Sequence, residues 1–168
     1  MKPQLTRLKE FSLDAYLVKP IARKELFSTV QRLLEQANHH RVDELSARHA
    51  IAAAPSAPAT ARKRILVAED SPDNRLLISA YLRREPCQID FTEDGEQAVA
   101  QFAAHDDYDM IFMDIQMPRM DGLRATERIR QIEAEQERCP LPIIALGASA
   151  LGADVTRARA AICISASR

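Results

Sequence analysis

Three short apolar runs, each stopped by a polar or small residue and followed by helical periodicity, restrict this chain more than anything else in it. Ile65-Leu66-Val67-Ala68, Met110-Ile111-Phe112-Met113 and Pro142-Ile143-Ile144-Ala145-Leu146 contain no polar alternation. Strands that read this way are covered on both faces, as in a parallel sheet. Between the runs the apolar period changes from continuous to helical. Pro72 sits acceptably in a first turn ahead of a helix over Asn74 to Arg84, and Gln88 to Thr92 supplies another strand. Asp94-Gly95 then turns into a helix with Ala98, Val99, Phe102 and Ala103 on one face, and Asp121-Gly122 leads into a helix over Leu123 to Gln136. A weaker helix is expected over Ala153 to Ala161. Alternation of this kind builds parallel βαβ units, so the fold class is α/β with a doubly wound parallel sheet.

The remaining composition removes whole classes of function. At 168 residues the chain has room for one ordinary domain with a linker and a fragment beside it. No apolar run approaches the roughly 18 to 20 residues that cross a bilayer. Met1-Lys2-Pro3-Gln4 has no apolar stretch behind it, which argues against a signal peptide. Cys87, Cys139 and Cys163 are an odd, widely spaced set without a CxxC pair, so reduced thiols in a cytoplasm are expected rather than a disulfide framework or a zinc site. The net charge of −1 carries no basic excess toward nucleic acid, and no helix-turn-helix follows the α/β region. No kinase ATP site is recognisable either.

Organisation divides into three. Residues 38–62 contain an alanine-rich stretch with Pro55 and Pro58 and no amphipathic period, which reads as a linker. Before it, residues 1–37 hold one short strand, Ala15-Tyr16-Leu17-Val18, ending at Lys19-Pro20, and one helix marked by Leu26, Val30 and Leu33. A segment of that size is too small to bury a core alone. After the linker, residues 63–168 carry the alternating strands and helices.

The chemistry is expected at the carboxyl ends of the strands, where open parallel sheets bind ligands. Glu69 and Asp70 close the first strand after the linker, and Asp114 closes the third. Taken singly, an aspartate after a strand is usually a turn former or helix cap. Brought together by neighbouring strands, three carboxylates need a cation, and hard oxygen ligands suit Mg²⁺.

Glu69-Asp70, Asp114-Ile115-Gln116-Met117-Pro118 and Asp121-Gly122 together resemble the receiver domains of two-component response regulators, over residues 63 to about 161. The resemblance implies a flavodoxin-like sheet of five parallel strands in the order 2-1-3-4-5. It also implies Mg²⁺ as cofactor and phosphorelay signalling. Carried over, Asp114 is the phosphoryl acceptor, Asp70 a direct metal ligand, Glu69 a ligand through water, and Gln116 a ligand through its backbone carbonyl. The implied donor is a phosphohistidine on a kinase or phosphotransfer protein, as in a hybrid histidine kinase with tandem receivers; a homodimer stays open. Asn74, Asp94-Gly95, Pro118 and Asp121-Gly122 also match, though cap and turn roles account for them equally well.

Two positions depart from that pattern. The family carries a threonine or serine at the end of the fourth strand where this chain has Gly147, so a switch hydroxyl is missing there. Ser149 lies two residues on and would share a face with Gly147 only if the strand persists that far. The end of the chain, Ile162 to Arg168, does not resemble the approach to a fifth strand, which makes the downstream domain look truncated. The absent part resembles residues 1–37 instead: Asp14 to Ile21 and the helix after them match a receiver's closing strand and helix. Lys19 would then face the phosphoryl oxygens, and Tyr16 would be the aromatic that changes orientation on activation. Residues 1–37 are either the end of an upstream receiver or the element that fills the open edge of the downstream sheet. The second is favoured, because an unpaired edge and a bare helix-docking surface are both costly and the tether is long enough to reach.

Three function classes follow. The first is a phosphorylatable receiver, the second a degenerate receiver acting as a non-switching interaction module. The third is a phosphatase-like hydrolase with Asp114 as a transient nucleophile, disfavoured because Gln116 stands where the haloacid dehalogenase pattern has its second aspartate.

Overall fold

In the computed structural model, residues 13–33 and 62–148 are described. Five strands form one sheet: β1 (Ala15–Val18), β2 (Lys63–Ala68), β3 (Cys87–Thr92), β4 (Met110–Asp114) and β5 (Ile143–Gly147). Among the described residues four helices accompany them: α1 (described over 23–33), α2 (Pro72–Leu82), α3 (Gly95–Ala104) and α4 (Gly122–Glu135). Several boundaries differ from the sequence reading by one or two residues. The helix α2 starts at Pro72, with Ser71 as its cap residue, and β5 extends to Gly147.

The sheet order is β1-β5-β4-β2-β3, and every pair is parallel. Counted from residue 63 with the amino-terminal strand placed last, this is the order 2-1-3-4-5. The segment before the linker therefore closes the sheet opened by the segment after it. Ala15 to Val18 pair with Ile144 to Gly147 in register, and the pairing continues outward through Asp14 N–H to Ile143 O at 3.0 Å and Lys19 N–H to Gly147 O at 2.7 Å. The Asp14 carboxylate adds a second tie, accepting from Ile143 N–H at 2.8 Å and from the Arg130 guanidinium at 3.0 Å.

Each face of the sheet is covered by two helices, as the continuous apolar strands require. On one face Leu26, Val30 and Leu33 of α1 and Ile78 and Leu82 of α2 pack against Ile65, Val67, Phe112, Ile144 and Leu146. On the other, Ala98 and Phe102 of α3 and Leu123, Ala125, Ile129 and Ile132 of α4 pack against Leu66, Ala68, Ile111, Met113 and Ala145. Leu26 is completely buried. Burying such a side chain contributes about 1.5–3 kcal/mol, so α1 belongs to this core. The linker lies outside the described residues except for Arg62, and so do the helix expected over 153–161 and the carboxyl end.

Local sequence explains how the helices start. The Asp94 carboxylate accepts from Gln97 N–H at 2.8 Å, and that of Asp121 from Arg124 N–H at 2.9 Å, so both residues do serve as caps. Gly122 is required by space. Its N–H donates to Ile115 O at 3.1 Å, and a Cβ there would lie 2.0 Å from the backbone oxygen of Asp114.

Candidate functional site

Parallel pairing of β2 with β4 sets Ala68 beside Met113. The next residues on each strand, Glu69 and Asp114, therefore emerge side by side at the carboxyl edge. Both are buried, at 0% and 3% exposure, while Asp70 is exposed at the rim. Each of the three offers a carboxylate oxygen, and those oxygens lie within 4.8 Å of one another.

Across the edge β1 delivers the cation. Lys19 Nζ lies 2.5 Å from Asp114 Oδ2 and 2.7 Å from Glu69 Oε2, with a hydrogen bond of 2.9 Å to Glu69 Oε1. These contacts span 50 and 95 residues of sequence, so the cation reaches the pocket through the docking of the amino-terminal segment on β5.

Charge in this pocket is finely opposed. Burial pushes the Asp114 carboxyl up to about 6, against the pull of Lys19, while the neighbouring Glu69 charge adds to the rise. Asp114 is thus mainly ionised at neutral pH and a proton acceptor just below it. Burial would lower the Lys19 ammonium, but its hydrogen bonds to Asp114 and Glu69 outweigh that and hold it above its ordinary value. Lys19 stays charged throughout the neutral range.

Of the remaining sequence candidates, Gln116, Gly147 and Tyr16 lie among the described residues. Gln116 is exposed in the β4–α4 loop, and its backbone N–H donates to Asp114 Oδ1 at 3.0 Å. Gly147 is buried at the end of β5, and Tyr16 of β1 is half-buried beside it. Ser149 lies outside the described residues.

Asn74, which matched the family pattern and could equally be read as a cap or turn residue, takes the first of these roles: its Nδ2 donates to Glu69 Oε1 at 2.9 Å, alongside Ser71 N–H at 3.3 Å. The signal was available in its position five residues after Glu69, in the first turn of a helix that begins at the strand end. Glu69 Oε1 accepts from these donors and from Lys19, whereas Oε2 is buried without a hydrogen bond and lies 2.7 Å from the Lys19 ammonium. An under-coordinated buried carboxylate oxygen beside two further carboxylates fits a hard divalent cation.

Another ion pair joins the loop after β4 to α3. Arg119 adopts a left-handed conformation, φ 62°, and its guanidinium hydrogen-bonds the fully buried Asp94 carboxylate through Nε at 2.8 Å and through Nη2. That pins the loop following β4 to the start of α3.

The carboxyl edge of this doubly wound sheet thus gathers acids from two central strands and a lysine from an outer one. The chain belongs to the response regulator receiver domain family, whose model matches residues 65–163. It is 39% identical over 111 residues to the sensor protein GacS of Pseudomonas syringae pv. syringae, covering 66% of this chain and 12% of GacS. To the signal transduction histidine-protein kinase BarA of Escherichia coli K12 it is 32% identical over 149 residues, 86% of this chain and 14% of BarA. The chain thus spans a small part of the length of these relatives. Among solved structures it is similar to the receiver domain of the sensor histidine kinase PA1611 from Pseudomonas aeruginosa PAO1, which has a magnesium ion coordinated in its active-site cleft. That match has 40% identity and a TM-score of 0.51, covering 57% of this chain and 75% of that one. The receiver domain of the Arabidopsis thaliana histidine kinase CKI1, complexed with Mg²⁺ and BeF₃⁻, matches at 30% identity and a TM-score of 0.51, covering 56% and 72%.

Proposed function

We propose that this chain is a phosphorelay receiver in which Asp114 accepts a phosphoryl group from a phosphohistidine on a kinase or phosphotransfer protein. The observation that carries the reading is the meeting of Lys19 with Asp114 and Glu69 in one buried pocket, with Asp114 Oδ2 2.5 Å from the ammonium. An Asp114 oxygen forms the new P–O bond as the P–N bond to the donor imidazole breaks, and the imidazole keeps the bonding electrons. Such transfer depends on in-line placement and charge neutralisation more than on a strong base. Gln116 N–H orients the acceptor through Oδ1, and Lys19 offsets the negative charge that gathers there.

Glu69, Asp70, Asp114 and the backbone carbonyl of Gln116 would hold Mg²⁺, which when bound neutralises phosphoryl oxygens. Asn74 keeps Glu69 aimed into the pocket. The domain so formed joins residues 1–37, as the closing strand and helix, to residues 63–168 across the 38–62 linker, and works in the cytoplasm. Among the described residues no helix is long and apolar enough to cross a membrane.

A second reading rests on Gly147, which offers no hydroxyl to sense the acceptor: a receiver that keeps its pocket and acts as a non-switching interaction module. Incubation with Mg²⁺ and a small phosphodonor separates the two. Mass spectrometry should find a phosphoryl adduct on the wild type and none on Asp114→Asn. No adduct on the wild type rejects the first reading and leaves the second.

A further inference from the structure

We propose that Arg119 is a positioning residue for the metal side of the acidic pocket: its pairing with Asp94 holds the β4–α4 loop in a strained turn and so fixes where Gln116 stands. The effect on the metal rests on the reading above, in which Glu69, Asp70, Asp114 and the Gln116 carbonyl hold Mg²⁺. The latch itself stands on the loop's geometry.

One buried carboxylate serves two elements. Asp94 is fully buried at the start of α3, where its Oδ1 accepts from Gln97 N–H at 2.8 Å. Its Oδ2 accepts from Arg119 Nε at 2.8 Å and from Nη2. Beside this pair the two backbones also meet. Gly95 N–H donates to Met120 O at 3.1 Å, and a Cβ on Gly95 would stand 2.5 Å from that oxygen. The outer part of the loop is therefore tied to α3 through both Arg119 and Met120.

The inner part of the same loop lies at the pocket. Gln116 N–H donates to Asp114 Oδ1 at 3.0 Å, and Gly122 N–H closes the base of the loop on Ile115 O at 3.1 Å. Gln116 and Arg119 are three residues apart within this closed turn, so a shift at one displaces the other. Met117 and Met120 pack against the core between them and beyond. Apolar packing is non-directional and keeps the loop close without setting its orientation. The charge-assisted bonds to Asp94 supply the direction.

Arg119 carries the strain of this arrangement. Its φ of 62° lies in the left-handed region that L side chains seldom adopt. Such a conformation persists where surrounding contacts over-determine it. Here the contact is made by the guanidinium, because the side chain is 54% exposed and gains little from burial. Without the pair, Arg119 relaxes toward negative φ and the loop turns with it.

The test is Mg²⁺ titration of the full chain by calorimetry at neutral pH. Arg119→Gln should weaken binding about tenfold, the scale for groups that orient metal ligands. The sign is diagnostic, since deleting a nearby cation by charge alone tightens the hold on a divalent ion. Arg119→Gly adopts the left-handed turn without strain and should recover part of the loss. In metal-free protein, Arg119→Gln should speed amide hydrogen exchange at Gly95 and Gln116 about tenfold. An Arg119→Gln variant that binds Mg²⁺ as tightly as the wild type or more so overturns the proposal. So do unchanged exchange rates, or a glycine variant that binds no more tightly than the glutamine one. A wild type that takes up no Mg²⁺ counts instead against the metal reading, and the exchange rates then decide the latch.

Discussion

Lys19→Met removes the charge that joins the amino-terminal strand to the acidic pocket while keeping most of the aliphatic stem. Its partners are deeply buried, with side-chain exposures of 0% for Glu69 and 4% for Asp114, against 17% for Lys19 itself. Removing one partner of a buried ion pair costs about 3–5 kcal/mol. The lower end applies here, because Asp114 has a second way to shed its charge: burial already pushes its carboxyl up to about 6, and loss of Lys19 raises it further. The expected loss at pH 8 is therefore about 3 kcal/mol.

The pH dependence follows from the same shift. In both proteins the folded value for Asp114 lies above its unfolded value of about 3.9, so both lose stability as pH rises through that window. In the variant the window extends to higher pH. The difference between the two proteins is therefore smaller near pH 5, where Asp114 holds its proton in either fold, and complete only above the variant's raised value. Lys19, held above its ordinary value, supplies its stabilisation across this whole range in the wild type. Urea unfolding followed by circular dichroism at both pH values, in the presence of a chelator, measures the difference. Equal losses at pH 5 and pH 8, or no loss at pH 8, would refute the reasoning. Under the proposed function, added Mg²⁺ narrows the variant's deficit.

Three further outcomes are expected. Leu26→Ala, at a fully buried position of α1, should cost about 2–5 kcal/mol in the single unfolding transition, whereas an undocked amino-terminal segment would leave that transition unmoved. Gly122→Ala forces a Cβ against the Asp114 carbonyl, a backbone atom that cannot swing away, and should destabilise by about 3 kcal/mol or more, read as a drop in melting temperature. Asp94→Ala should cost about 1–2 kcal/mol through its lost helix cap, with Asp94→Asn keeping the cap and costing less. Burial would raise the Asp94 carboxyl, but Gln97 N–H and Arg119 hold it below its ordinary value, so its stabilisation is present above about pH 4 and fades as pH falls through the lower folded value. Asp94→Asn should accordingly show a shallower loss of stability between about pH 4 and pH 2 than the wild type.

The strands, most of the helices and the acids that close two of the strands were legible in the sequence because each is a local signal. An unbroken apolar run of four or five residues declares a strand buried on both faces, and the polar residue that stops it marks the sheet's edge. Even Lys19 could be named, because Ala15 to Pro20 carries the local pattern of a closing strand. Chain order left adjacency as a choice between two readings, with the docked one favoured. That β1 pairs with β5, that Lys19 reaches both Glu69 and Asp114, and that Asn74 serves Glu69 rather than its own helix all depend on contacts made after the segments meet. Gly147 is the sharpest instance. Read along the chain it was a missing hydroxyl; in the folded protein it is the hollow that the ring of Tyr16 fills.

The sequence by itself thus determined the elements, their parallel α/β arrangement and the kind of oxygen donors available, since periodicity and strand-end chemistry act over a few residues. Only the tertiary structure decided which strand completes the sheet, which cation faces the carboxylates and which side chain occupies the space above Gly147. Register and steric fit between segments more than a hundred residues apart are properties of packing, and no local pattern encodes them.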